Sequence, residues 1–260
     1  MINLSKIKKV AYPKEHGSWG FYFEPLLLSI IVAYSKNGLF LFLVSLFIFF
    51  AHQPVRVLFN KNQTEQLKKI ALIFLMIYSG LAILFMTLIP FNFKIYVFIP
   101  FFLAIIIMAF YLAAEVLNYK KTLTTEAIAP FAVDLIAVSI VLLGGWTFAS
   151  AMAFLVVLLN RSFPTVLYIH ERLKLEREKE ILSGFVNVFG MFGLLITIFL
   201  SFEKLIPYLS ILAVLILVVR SSIGLSKFRK KLNIKQIGIY EFIYGILFVA
   251  IVALGYIINF

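Results

Sequence analysis

Apolar positions fill this chain in long runs, broken at short intervals by charged residues, prolines and glycines. The runs are about 18 to 23 residues long, the length that crosses a hydrocarbon layer of about 30 Å at a rise of about 1.5 Å per residue. The breaks predict nine helices, at about 18–35, 38–58, 70–90, 95–117, 126–143, 147–169, 182–201, 205–223 and 237–258. No length is left for a soluble domain, so residues 1–260 read as a single membrane domain. The basic start, MINLSKIKK, precedes an apolar segment that lacks a small-residue cleavage site and has the length of a full span, and it reads as retained.

Charge along the chain orients these spans. Of the 24 Lys and Arg residues, 21 fall on alternate connections, and only Lys36, Lys94 and Lys204 fall on the other side. Cytoplasmic loops hold the excess of positive charge, so the expectation is a cytoplasmic N-terminus, nine spans and an outside C-terminus in a bacterial-type cytoplasmic (inner) membrane. The net charge of +12 then has its explanation in topology and anionic lipid headgroups, and no nucleic acid is called for. The runs HERLKLEREKE (170–180) and SKFRKK (226–231) read as solvated loop ends.

Composition narrows the class. The chain is 63% hydrophobic with a mean hydropathy of +1.03, far above a soluble domain. The absence of cysteine excludes disulfides, thiolate metal sites and a cysteine nucleophile. Trp19, Trp146 and the tyrosines are expected to mark the membrane interfaces.

The acids carry more information. Glu24, Glu115, Asp134 and Glu241 lie inside predicted spans, where each acid costs about 2.5 to 3.5 kcal/mol on insertion scales unless it faces water or a partner. A polar cavity open to the cytoplasm, shared with Glu15, accounts for all of them. Simpler alternatives are that Glu115 and Glu241 snorkel from helix ends and that Asp134 makes a buried hydrogen bond to a neighbouring helix.

Two helix ends look alike. The second span ends FFAHQPVRVLFNKN, with His52 and Arg56 four residues apart on one face, and the sixth ends LLNRSFPTVLYIHERLK, with Tyr168 and Arg172 again four apart. Each contains a proline, Pro54 or Pro164, which frees a backbone carbonyl. The spacing suggests pseudo-repeat halves, 18–117 and 126–223, plus a ninth helix at 237–258. The expected site is a positively charged pocket where these ends meet. Arg56, Arg161 and Arg172, with Lys14, Asn60, Asn160 and Tyr168, would hold an anionic oxygen, because guanidinium binds phosphate or carboxylate without a bridging metal. His16, His52 and His170 would move protons near neutral pH. The stretch PKEHG, with Pro13 and Gly17 turning the chain into the first span, would form a wall of that cavity.

PKEHGSW before an apolar span, HQPVR at the end of the second span and NR…HER at the end of the sixth resemble the YwiC-like family of bacterial integral membrane proteins. The nine-span arrangement with polar ends after spans two and six is also similar to the UbiA superfamily of intramembrane prenyltransferases. Those enzymes hold magnesium and a prenyl diphosphate on aspartate-rich motifs at both places, where this sequence has HQPVR and YIHER. The resemblance thus implies an all-α polytopic membrane protein with a UbiA-like bundle and a lipid or isoprenoid transferase or lyase without the usual Asp–Mg site. No cofactor is expected. The alternative is haem or a divalent metal on the three histidines with Glu15 or Glu171, in a respiratory cofactor-binding protein, or a non-catalytic carrier of a small anion or proton. Partners are expected to be membrane lipids and an isoprenoid or other amphiphilic anionic ligand; the oligomeric state is open.

Overall fold

The computed structural model describes residues 7, 10–12, 16–60, 62–90, 92–117 and 123–259, and the side chains among them apart from those of 16–18, 124, 125 and 259. Their regular structure is helical: α1 (His16–Val32), α2 (Lys36–Phe59), α3 (Glu65–Thr87), a single 3-10 turn (Ile95–Val97), α4 (Ile99–Val116), α5 (Leu123–Leu143), α6 (Phe148–Glu176), α7 (Ser183–Phe202), α8 (Leu209–Gly224) and α9 (Ile234–Asn259). Seven of these helices are long and apolar enough to cross a membrane. The other two, α1 and α8, have 17 and 16 residues, about 25 Å at 1.5 Å per residue.

Helix α5 is the axis of the bundle. Every side chain from Ala132 to Leu143 is buried, and α5 packs against α1, α2, α4 and α6. Helix α9 closes the other side, against α1, α6 and α8, while α3 pairs with α2 and α7 with α8. Lipid tails are as apolar as leucine, so association of such helices rests on close packing and interhelical hydrogen bonds, which small residues permit. Ala132 and Ala137 in α5 and Ala151 and Ala153 in α6 supply them. At the end of α5, a Cβ on Gly144 would stand 2.5 Å from the Ala33 carbonyl oxygen, so only glycine lets this end seat on the α1–α2 turn.

Local caps fix where several helices begin. Ser35 accepts from the Gly38 amide at 2.9 Å to start α2, and Thr147 accepts from the Ser150 amide at 3.2 Å to start α6. The first turn of α4, which contains Pro100, has its Phe101 amide satisfied by Ser139 of α5 at 3.0 Å. Four helices carry an interior proline and run through it: Pro25 in α1, Pro54 in α2, Pro130 in α5 and Pro164 in α6.

The predicted spans match these elements to within several residues, with one informative exception. The sixth extends to Glu176, seven residues beyond the expected end. HERLKLE is helical because it is rich in helix formers and laced by pairs at helical spacing: Lys174 to Glu171 at 2.7 Å and Arg172 to Glu176 at 2.8 Å. The loop reading of this run is corrected accordingly, and Glu171 and Arg172 are buried.

Candidate functional site

The C-terminal ends of α2, α4, α6 and α8 gather with the N-terminal ends of α5, α7 and α9 at one end of the bundle, as the ion pairs and hydrogen bonds among them show. Glu115 of α4 clamps the end of α2, with His52 Nε2 at 2.9 Å and Arg56 Nη2 at 3.1 Å. These two side chains lie four residues apart on one face of α2, which is why both reach a single carboxylate on the neighbouring helix. His170 of α6 stands 3.5 Å from Glu126 of α5. Glu171 accepts from the Leu182 amide at 2.7 Å, tying α6 to the start of α7. Arg172 donates to the carbonyls of Gly224 and Lys230, fastening the α8–α9 connection to α6.

Deeper in the bundle lies a quartet of buried charges from four helices. Arg161 of α6 makes a two-point ion pair with Glu24 of α1, at 2.9 and 3.2 Å. It also donates to Thr165 and, at 3.2 Å, to the Glu241 backbone carbonyl of α9. Glu241 in turn takes Arg220 of α8, whose guanidinium lies over the Tyr168 ring at 4.2 Å. Two arginines balance two glutamates, which is how charges survive inside a membrane protein. Asp134 of α5 stands beside them and accepts from Ser162 of α6 at 2.7 Å. Glu24 fits only because α9 has glycine opposite: a Cβ on Gly245 would be 1.8 Å from its carboxylate oxygen.

Two cavities flank the C-terminal half of α6. The larger, about 550 Å³, lies among α1, α2, α4, α5 and α6. Its wall is apolar and aromatic along Phe21, Phe49, Met108, Val133 and Ile136, with the Tyr22–Ser45 hydroxyl pair at 2.9 Å. Glu126, His170, Lys174 and Arg177 line one end. The second, about 440 Å³, lies among α6, α8 and α9 and includes Tyr168, Arg172, Arg220 and Glu241.

The residues expected to converge are distributed over several partner sets. His52 and Arg56 meet at Glu115. Asn160 faces α7, donating to the Gly193 carbonyl at 3.0 Å and to Thr197 at 2.9 Å. Arg161 belongs to the deep quartet with Glu24 and Glu241. Arg172 and Tyr168 line the smaller cavity and His170 the larger. Asn60 is the C-cap of α2, where its side chain accepts from the Asn62 amide at 2.9 Å. Lys14 and Glu15 lie outside the described residues; His16 begins α1, and its side chain lies outside them too.

Arg220, Ser162 and Thr165 were not anticipated. Arg220 had a signal, a charged residue inside the apolar run LSILAVLILVVRSSIG, but it counts equally well as a loop-side cation. Ser162 and Thr165 had none, since a hydroxyl in a membrane helix commonly bonds its own backbone.

The family model for YwiC-like proteins matches residues 12–141, half of the chain. The chain belongs to the YwiC-like family. No curated protein and no solved structure matches it. With seven apolar helices of spanning length, this YwiC-like chain is an integral membrane protein that crosses the membrane several times. The matched region carries Glu24, His52, Arg56, Glu115, Glu126 and Asp134, while Arg161, His170, Arg220 and Glu241 come from beyond it. The site is therefore assembled from both halves of the chain.

Among the described residues no group of three or more His, Asp or Glu side chains is placed to hold a metal ion. At the end of α2 the carboxylate present, Glu115, is already engaged by a histidine and an arginine.

Proposed function

We propose that this YwiC-like protein binds an amphiphile, with an apolar chain in the larger cavity and an anionic head at the His170, Lys174 and Arg177 end. The observation that carries this reading is the division of one wall: apolar and aromatic from Phe21 to Ile136, ionisable at the end of α6. Apolar pockets with a few polar groups at one end are how proteins orient such ligands. Glu171 takes Lys174 at 2.7 Å and Glu126 approaches His170 at 3.5 Å, so the head region has little excess positive charge. That balance favours a head with one negative charge, a carboxylate or phosphodiester, over a diphosphate.

His170 with Glu126 supplies an imidazole–carboxylate pair beside the head, suited to moving a proton there. The chemistry this supports is a lipid or isoprenoid transferase or lyase working without an aspartate-held metal. The opposite end of α5 favours a one-sided site over a carrier: Leu142 and Leu143 are buried, and Trp146 packs on Phe154 and Tyr256 at 5.7 and 5.0 Å.

Native mass spectrometry of the full chain, purified in mild detergent, tests the binding. The wild type should carry an amphiphile, Ala129→Trp should fill the cavity and lose it, and Arg177→Gln should weaken retention about tenfold, the loss of one charge-assisted hydrogen bond. His170→Gln should keep the ligand bound. A wild-type protein free of amphiphile, or equal retention by Ala129→Trp, overturns the reading.

A further inference from the structure

The smaller cavity is chemically unlike the larger one and lies on the opposite face of α6. At 100° per residue, Tyr168 and Arg172 point away from Val166, His170, Leu173 and Arg177, which line the larger cavity. Its cations are Arg172, Arg220, Arg229 and Lys230, and its one lining carboxylate is Glu241. Even with Glu176 included, at 2.8 Å from Arg172 and 3.8 Å from Arg229, four cations face two carboxylates. The donors are also in surplus: Arg172 and Arg220 each have a buried Nε–H with no hydrogen-bond partner, and the Nε–H of Arg229 has only Glu176, at an ion-pair distance of 3.8 Å. Buried guanidinium donors are costly to leave unmet, and an oxyanion is their usual complement. Arg172 spends its terminal nitrogens on the carbonyls of Gly224 and Lys230, so it fixes the connection that carries Arg229 and Lys230 over the cavity.

The α8 side of the same cavity is apolar and open. Leu215, Val219 and Ile223 line it and remain 40 to 58% exposed, an outward apolar face suited to hydrocarbon. A cationic rim above an apolar wall open to lipid suits a phosphate group with an acyl chain attached.

We propose that this cavity is a separate binding site for a phosphate-class anion, supplied by the headgroup of an anionic phospholipid whose chain lies along α8. It does not depend on what the larger cavity binds.

The full-length protein in detergent is titrated with phosphatidylglycerol, with phosphatidylcholine and with inorganic phosphate, and bound species are counted by native mass spectrometry. Wild type should bind phosphatidylglycerol in preference to phosphatidylcholine. Arg229→Gln with Lys230→Gln, both outside the helices, should weaken phosphatidylglycerol about tenfold or more and leave phosphatidylcholine unchanged. Val219→Trp, which fills the apolar wall without touching a charge, should weaken it too. Ala129→Trp should leave this binding intact, so the two cavities are separable. Displacement of phosphatidylglycerol by inorganic phosphate, lost in the double variant, supports the anion site and assigns its source to the free ion. Equal binding of the two lipids by wild type, or full retention of phosphatidylglycerol by both the double variant and Val219→Trp, overturns the proposal.

Discussion

At the scale of single residues, the most constrained contact is between Glu24 and the backbone of α9 at Gly245. Any side chain at 245 must occupy the space of the Glu24 carboxylate and so push it off Arg161. Breaking a buried ion pair leaves an uncompensated charge and costs about 3 to 5 kcal/mol. Gly245→Ala should therefore lower stability by about 3 kcal/mol in denaturant titration of the detergent-solubilised protein. Gly238 is the control on the same helix: a Cβ there meets nothing within 4 Å, so Gly238→Ala should be neutral or stabilise by up to about 1 kcal/mol. Equal effects of the two would mean that Glu24 is not held where the structure has it. The charges themselves were legible in the sequence, because an acid inside an apolar run stands out. Their partners were not. Glu24 and Arg161 are 137 positions apart, and only packing decides which cation an acid meets. Arg161, which the sequence offers as an anion holder with Arg56 and Arg172, is engaged by two glutamates and a threonine.

At the scale of elements, hydropathy locates the helices well because each apolar run has the length of a span, whereas the end of α6 reads as a loop because of its charges. Those charges include internal pairs of the helix, and its last turns supply His170 and Lys174 to one cavity and Arg172 to the other. Contacts between helices were less legible. Asn160 reads from sequence as part of a cytoplasmic pocket, yet it joins α6 to α7 through Gly193 and Thr197. A Cβ on Gly193 would be 2.5 Å from the Asn160 side-chain oxygen, so asparagine and glycine are a matched pair. Interhelical hydrogen bonds in membranes average about 0.6 kcal/mol, so Asn160→Ala should cost about 1 kcal/mol. Gly193→Ala should cost about 1 to 3 kcal/mol through overpacking. In the Asn160→Ala background the clash is gone, and Gly193→Ala should then add little. The double-mutant cycle, read by unfolding in denaturant, should show a coupling of about 1 kcal/mol or more; additive costs would mean that α6 and α7 do not approach through this pair.

At the scale of the whole molecule, the question left by the fold is whether the two short helices cross the membrane. Helix α8 is the sharper case, because at 16 residues it spans about 24 Å, less than a hydrocarbon core of about 30 Å. It is packed against α6, α7 and α9, and a helix held within protein tolerates such mismatch by local thinning of the bilayer. The connections at its two ends differ in charge: Glu203 and Lys204 precede it, whereas Lys227, Arg229, Lys230 and Lys231 follow. That asymmetry is what a crossing helix produces under the positive-inside rule. The chain has no cysteine, so single cysteines report on sidedness without a background to remove. Glu203→Cys should react with a membrane-impermeant maleimide in intact cells, and Lys227→Cys should react only after permeabilisation. Reaction of both from the same side would make α8 a re-entrant segment and reverse α9. If that side is the outside, the cationic rim at Arg229 and Lys230 keeps its geometry and loses its expected exposure to the anionic inner leaflet, which ties the topology experiment to the lipid proposed for the smaller cavity.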